Sequence, residues 1–449
     1  MRILHYFLGF PPYRTGGLTK YAYDLMCAQA DKGDEVSALW PGRMEFKNHG
    51  PKIAGQKNVH GIHNYELVNP LPVPLDEGIR KTDAFTEACD IKVYRDFLEK
   101  INPEVIHIHT LMGLHREFIR AAKALKIRML FTSHDYFGLC PKVTLYKENG
   151  ACDDDHNCRD CVSCNQSALS LKKIWLMQSP LYRNLKNASV VKLLRKRHRN
   201  EFFTDETQTQ RQDILVDEKD AKKYRELRQY YIEMLSMIDC IHFNSTVTEK
   251  IYKRYFTPAS SRVISITHKD IADNREKNTW KYTGKLRITS LAPAKPFKGY
   301  NILCQALDEL WQSGKHDFEL KIFSPVPVKK PYMVVQEEGF AYSQLGEIMA
   351  DTDVLVAPSV WYETFGFTVL EALSYGVPVI VSEHVGAKDI VGDGGIVVEA
   401  GDKEALKKTI EALNAESLGK LRRNIREKVQ VKTWKQFLDE NDSLYKEKD

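Results

Sequence analysis

The chain predicts an α/β fold of two mostly parallel sheets, each covered by helices on both faces. Three observations carry this prediction. At 449 residues the chain exceeds what one ordinary core holds, so two domains are expected. Short apolar runs alternate with helical patterns from the first residues to about residue 134, and again from about residue 240 onward. The alternation argues for parallel sheets with helices on both faces, and the apolar run VPVIV (377–381) reads as a buried strand.

The elements follow in order. RILHYF (2–7) is a strand, followed by a loop with Pro11, Pro12, Gly16 and Gly17. LTKYAYDLMCAQADK is a helix and EVSALW (35–40) a strand, which closes a β-α-β unit with a glycine-rich first turn. A loop-rich stretch comes next. Then YRDFLEKI ends a helix, VIHIHT (105–110) is a strand, HREFIRAAKALK a helix and MLFTSH (129–134) a strand. Residues 140 to about 235 break the rhythm with a cysteine-rich loop and a basic helical stretch. CIHFNS (240–245) resumes it, and a second series runs RVISI (262–266), LRITSLA (286–292), NILCQALDELWQ, FELKIFS (318–324), SQLGEIMAD and VLVAPS (354–359). Ligands of such sheets bind beyond the carboxyl ends of the strands, so the cleft between two such domains is the natural site.

Composition narrows the class. A net charge of +5 on 449 residues is too mild to imply nucleic acid. No apolar run reaches the ~18 residues of a membrane-spanning helix. The N-terminal MRILHYFLGFPPY is short and ends in Pro-Pro, so it reads as a first strand and not a signal peptide, and the cytosol is the expected compartment.

The stretch ETFGFTVLEALSYGVPVIVS (363–382) is loop, helix, turn and strand: Gly376 can take a left-handed cap and Pro378 cannot continue the helix. Thr368 and Glu371 form T-x-x-E, the pattern of a capping box. The same glycine-containing helix start also suits an anion. On these residues alone both readings stand, and the box leaves Glu363 and Gly366 without a role.

Four motifs together resemble those of retaining glycosyltransferases of the GT-B fold, family 4. They are TGGLTKYAYDLM (15–26), SHD (133–135), KPFKGY (295–300) and APSVWYETFGFTVLEALSYGVPVI (357–380), the last matching the E-x7-E donor-binding signature. The resemblance covers most of the chain apart from residues 150–235. It implies two Rossmann-like domains facing across a cleft. It also implies transfer of a sugar from a nucleotide-diphosphate sugar, UDP being the commonest base, to an acceptor hydroxyl with retention. A departing diphosphate needs preorganised positive partners. Lys298, the N–H groups near Thr364, Phe365, Gly366, Phe367 and Thr368, and the close backbone approach of Gly16 and Gly17 fit that need. The resemblance assigns Glu371 to the ribose hydroxyls, Glu363 to the transferred sugar, and His134 to a place beside that sugar. Phe340 and Tyr342 fall near the base. Family habit points to a glycan or lipid-linked acceptor in bacterial cell-surface polysaccharide synthesis. No catalytic metal is required, because lysine and helix N–H groups already face the diphosphate.

One departure stands out. The family often carries an arginine five or six residues before the lysine, where this chain has Pro293 and Ala292. Lys295 is the nearest cation, without a guanidinium's planar fork. A non-catalytic accessory or interaction protein with a degenerate donor site is therefore the alternative.

Two further segments carry chemistry. Cys140, Cys152, Cys158, Cys161 and Cys164 crowd one loop, and C-x2-C-x2-C spacing points to structural zinc, with free thiols or an iron–sulfur cluster as other readings. Residues 171–199 hold nine Lys or Arg and no Asp or Glu, with apolar residues interleaved. That pattern fits a peripheral contact with an anionic membrane, or a solvated helix on the first domain. The expected layout is an N-terminal domain over 1–245 with the insert at 140–235, a nucleotide-sugar domain over 246–430, and a last helix over 431–449 crossing back to the first domain.

Overall fold

The computed structural model describes residues 1–45, 50–147, 150–153, 156–185, 217–277 and 280–446. Its strands are β1 (Arg2–Tyr6), β2 (Glu35–Pro41), β3 (Lys52–Val59), β4 (Ile62–Val68), β5 (Val105–Ile108), β6 (Arg128–Thr132), β7 (Tyr146–Lys147), β8 (Gly150–Ala151), β9 (Cys240–Phe243) and β10 (Ser261–Val263) in the first half. The second half has β11 (Leu286–Ser290), β12 (Phe318–Ile322), β13 (Met333–Val335), β14 (Val354–Ala357), β15 (Val379–Ser382) and β16 (Gly395–Val398).

The first sheet runs β10-β9-β6-β5-β1-β2-β4-β3 and the second β13-β12-β11-β14-β15-β16. All their pairings are parallel except β3 with β4. The sheets are therefore the two doubly wound, Rossmann-like units that the apolar strands predict. Each has one switch point, between β1 and β5 in the first and between β11 and β14 in the second. The loops that leave those strands carry Gly16, Lys298 and Glu363.

Three local expectations are corrected. Residues 52–68, read as loop, form an antiparallel hairpin; β3 is too polar and exposed to show an apolar pattern. The strand near residue 262 joins the first sheet beside β9 and not the second series, so that sheet runs past residue 245. The capping box of Thr368 and Glu371 does not form. The helix Phe367–Ser374 starts one residue before Thr368, on Gly366 at φ 101, and no side chain caps it.

The helix Trp434–Lys446 joins both halves. Phe437 packs in the core that holds Val369 and Val381, edge-on to Tyr21 at 5.6 Å. Leu444 and Tyr445 bury against Ile3, Val105 and Leu130 of the first sheet. Lys32 pairs with Asp442, and Arg128 Nη2 donates to the Leu444 carbonyl at 3.3 Å.

Candidate functional site

The lysine loop is shaped by one glycine. Pro296–Lys298 forms a single 3-10 turn, closed by Gly299 at φ 79. A Cβ at Gly299 would lie 1.9 Å from the Pro358 carbonyl oxygen, so only glycine fits between the two loops. The turn aims Lys298 Nζ at Glu363 Oε1, 2.6 Å away, and sets it 4.9 Å from the centre of the Trp361 ring. Ser359 Oγ donates to the other oxygen, Glu363 Oε2, at 2.7 Å. The Glu363 backbone is pinned too, its N–H donating to His384 O and its carbonyl accepting from Gly386 N, both at 2.9 Å. Lys295 lies instead against Phe297, 5.2 Å from the ring centre.

Beyond Glu363 the chain turns into the helix. A Cβ on Gly366 would come within 3.0 Å of Val385 and 3.6 Å of the Glu363 carboxyl carbon, so the glycine leaves room for that carboxylate. The phenyl ring of Phe365 is buried in the core and meets Phe367 edge-on at 5.4 Å, so this residue offers only its backbone to a ligand. Thr368 is the second helical residue. Glu371 is 8% exposed and faces His268, whose Nε2 lies 3.4 Å from Oε1. His268 also meets the rings of Phe367 at 5.3 Å and Tyr342 at 5.7 Å. Sequence reasoning missed His268, because it sits in an irregular connector with no motif around it. Phe340 packs on Phe323 at 5.3 Å.

The first domain meets this surface directly. Gly16, at φ 118, starts the helix Gly17–Asp31. The Cβ position of Gly17 lies 3.6 Å from the Phe367 ring, so the glycine loop and the second domain's helix start face each other. His134 follows β6 and meets Tyr21 edge-on at 4.6 Å. Its carbonyl accepts from Thr364 Oγ1 at 3.1 Å, while the Thr364 carbonyl accepts from Ser245 Oγ at 2.7 Å. Lys20–Asp270 and Lys269–Asp24 pair across the same edge at 2.7 and 3.1 Å. Burial pushes His134 down to about 3 and Asp135 up to about 6, so the imidazole is neutral at neutral pH. The structure thus gathers Gly16, Gly17, His134, Lys298, Glu363, Thr364, Phe367 and Glu371 around one cleft. A cation and uncapped helix amides on one wall face a glycine backbone on the other. That arrangement suits a polyanion bound beside a sugar.

The cysteine loop lies against the same cleft. Cys158 and Cys161 are buried with Cys140 and Cys152 packed alongside, and Cys158 starts the helix Arg159–Cys164 in the left-handed conformation. The Cys140 sulfur is positioned for backbone hydrogen bonds from Lys142 and Leu145 and feels Cys164, while Cys161 feels Cys158 and Cys140. Arg228 Nη2 approaches Cys161 Sγ at 3.8 Å. Burial pushes the Cys140 thiol up, and among the described residues these sulfurs do not form a group of three within 4.8 Å, so a metal would have to draw them together. The Cys152 backbone N–H donates to the Leu145 carbonyl at 2.6 Å. Among the described residues, the group whose ligand atoms already lie within 4.8 Å of one another is His5, His107 and His109.

Comparison with known proteins agrees with this architecture. Residues 286–416 match the family model for glycosyl transferases group 1, and residues 15–167 match that for glycosyltransferase family 4. The O-antigen chain mannosyltransferase B of Escherichia coli is 29% identical over 132 residues, covering 27% of this chain and 30% of that protein. An uncharacterized 41.2 kDa protein in the cps region of Klebsiella pneumoniae is 25% identical over 218 residues, 44% of this chain and 58% of that protein. The matches span less than two thirds of either relative's length. Sucrose-phosphate synthase from Thermosynechococcus elongatus superimposes with a TM-score of 0.56 at 15% identity, covering 99% of this chain and 98% of that one. HepE of Anabaena, in complex with UDP and glucose, gives 0.53 at 12% identity, covering all of both chains at 100%. The fold is that of the GT-B glycosyltransferases. Along the chain the family 4 match comes first and the group 1 match second.

Proposed function

We propose that the protein is a retaining glycosyltransferase that moves a sugar from a nucleotide-diphosphate sugar, with UDP as the favoured base, to an acceptor hydroxyl. The observation that carries this is the Lys298–Glu363 pair, 2.6 Å apart beside an uncapped helix start that faces Gly17. A diphosphate entering the cleft draws Lys298 away and frees Glu363 for the sugar's hydroxyls. Backbone N–H groups from Thr364 to Thr368 and the close approach of Gly16 and Gly17 hold the phosphates. Glu371, with His268 at its side, binds the ribose. His134 sits next to the transferred sugar. The acceptor attacks from the face the leaving group departs, and the leaving phosphate takes its proton.

The acceptor is proposed to be a glycan or lipid-linked glycan of the bacterial surface, in keeping with the mannosyltransferase relative. The described part of the basic segment leaves Leu176, Leu181 and Leu185 exposed near Lys172 and Lys173, which supports a peripheral site on the inner face of the cell membrane. Residues 186–199 of that segment lie outside the described residues. Among those described, no helix is long and apolar enough to cross a membrane. Sedimentation with anionic but not neutral vesicles checks the contact, and equal sedimentation with both rejects it. Four of Cys140, Cys152, Cys158, Cys161 and Cys164 are proposed to hold one structural zinc that orders the loop. Metal analysis of the purified protein tests this, and a metal-free protein with unchanged melting temperature rejects it.

Calorimetry with UDP, GDP, dTDP and ADP, and their sugars, tests the donor site. One nucleotide should bind in the micromolar range, and Glu371→Ala should weaken it tenfold or more, about 1.4 kcal/mol. Pro293 and Ala292, where the family often has arginine, favour a second reading as an accessory protein with a degenerate donor site. Absence of binding to every nucleotide by the folded protein selects it.

A further inference from the structure

Four adjacent strands of the first sheet bury a polar network that the donor site does not use. Register pairs His5 on β1 with His107 on β5, and Thr132 on β6 with His242 on β9. His5, His107, His109 and His242 are all fully buried. Their nitrogens are already committed to hydrogen bonds in two chains, which argues against reading the close trio His5, His107 and His109 as an open metal site.

The first chain has a defined direction. His242 Nε2 lies 2.8 Å from the Ile264 carbonyl, which can only accept, so Nε2 carries the proton. Burial pushes His242 down to about 4, so the ring is neutral and its Nδ1 accepts from Thr132 Oγ1 at 3.0 Å. Thr132 has one proton to give, so at 2.7 Å its oxygen accepts from His107 Nε2. His107 is held well below the ordinary histidine range by burial, so its Nδ1 accepts from the Tyr445 hydroxyl at 2.6 Å. The Tyr445 oxygen is left as an acceptor, with Gln29 and Asn441 beside it. Gln29 Nε2 and Asn441 Nδ2 are themselves buried without a hydrogen bond.

Gln29 presents Oε1 to His5 Nε2 at 2.7 Å, and an amide oxygen can only accept. That sets the second chain. His5 donates through Nε2 and accepts through Nδ1 from His109 Nε2 at 3.0 Å. His109 then accepts through Nδ1 from His134 Nε2 at 3.3 Å. Burial keeps all three rings neutral, so no ring donates from both nitrogens. His134 is half-buried, and its Nδ1 makes no hydrogen bond among the described residues.

We propose that this network holds His134 in one neutral tautomer, proton on Nε2 and lone pair on Nδ1, with His109, His5 and Gln29 as positioning residues. His134 therefore meets its ligand as a hydrogen-bond acceptor, fitted to a sugar or acceptor hydroxyl and unable to serve as a cation. The ligand class rests on the glycosyltransferase reading, whereas the tautomer does not.

Nitrogen-15 spectra of histidine-labelled protein test this without substrate, with His134→Asn used to assign the signals. The wild type should show His134 with a proton-free, pyridine-type Nδ1 and a protonated Nε2 near neutral pH. Gln29→Leu removes the amide oxygen that fixes the His5 proton, so both His134 signals should move to intermediate positions as the two tautomers mix. A protonated Nδ1 in the wild type overturns the proposal, and this reading stands even where the variant fails to fold. An unchanged His134 in folded Gln29→Leu overturns the part given to Gln29. Nucleotide calorimetry on the same samples separates the two readings. Lost binding with the tautomer as stated sinks the donor site, and intact binding with the opposite tautomer sinks the network.

Discussion

The two walls of the cleft are built from opposite materials. On the first domain, His134 is backed by neutral, buried imidazoles that share single protons along directed hydrogen bonds on the inner strands of the sheet. On the second, Lys298 and Glu363 form a charged pair in a partly exposed loop, each 17% exposed at the side chain. A buried neutral network is rigid, since each broken bond strands a polar group. A partly solvated ion pair is exchangeable, because an incoming anion replaces one partner and water or a hydroxyl serves the other. The contrast gives rigidity to the wall that carries His134 and exchange to the wall that carries Lys298.

Acid should break the first wall most strongly. Burial holds His5, His115 and His242 down to about 4, against 6.5 for an exposed histidine. Between those values the unfolded chain binds more protons than the folded one, so stability falls as pH falls. The loss begins near 6.5 and levels off below about 4. Each histidine contributes about 1.4 kcal/mol per pH unit in that window. Asp135 works the other way, because its carboxyl, raised to about 6, is protonated first in the folded state and offsets one histidine from about 6 down to about 4. Urea midpoints should fall steeply from neutral pH to about 5, by several kcal/mol in total. A flat profile refutes the neutral buried network.

The second wall should break in activity and not in folding. Lys298→Ala removes the cation proposed to face the leaving diphosphate, and loss of such a transition-state partner costs on the order of 100- to 1,000-fold in kcat, about 2.7–4 kcal/mol. Urea midpoints should stay close to wild type, because the pair it breaks is partly exposed. A collapse in stability with kcat retained makes Lys298 a structural residue.

The two regions also differed in how far the sequence disclosed them. The parallel strands were legible, because burial on both faces leaves nearly unbroken apolar runs such as VLVA in β14. Lys298, Glu363 and Glu371 were legible through local motifs around them. The polar strand β3 and the three-residue β10 were not, since neither buries an apolar face that leaves a pattern. The capping box misled because Gly366, in the left-handed conformation, starts the helix one residue ahead of Thr368. His134 was visible as a motif but its support was not. His5, His107 and His242 lie far apart in the chain, and only strand register brings them together. His268 had no signal at all, being an isolated histidine between domains.

The smallest effect concerns where the walls meet through the cysteine loop. Tyr362, one residue before Glu363, donates its hydroxyl to Asp153 Oδ1 at 2.8 Å, and Arg254 Nη1 donates to the same oxygen at 3.0 Å. Arg254 also lies over the Tyr362 ring at 5.3 Å, and that ring packs on His384 at 4.2 Å. The loop that carries the cysteines is thereby tied to the loop that carries Glu363. Tyr362→Phe keeps the ring contacts and removes only the hydroxyl, so it should cost about 1 kcal/mol of stability. If the tie also sets the Glu363 loop, the variant's KM for donor should rise while kcat stays near wild type, the signature of lost uniform binding. If instead kcat falls and KM holds, the loop reaches the transition state, and the cysteine segment belongs to the chemistry as much as the two sheets do.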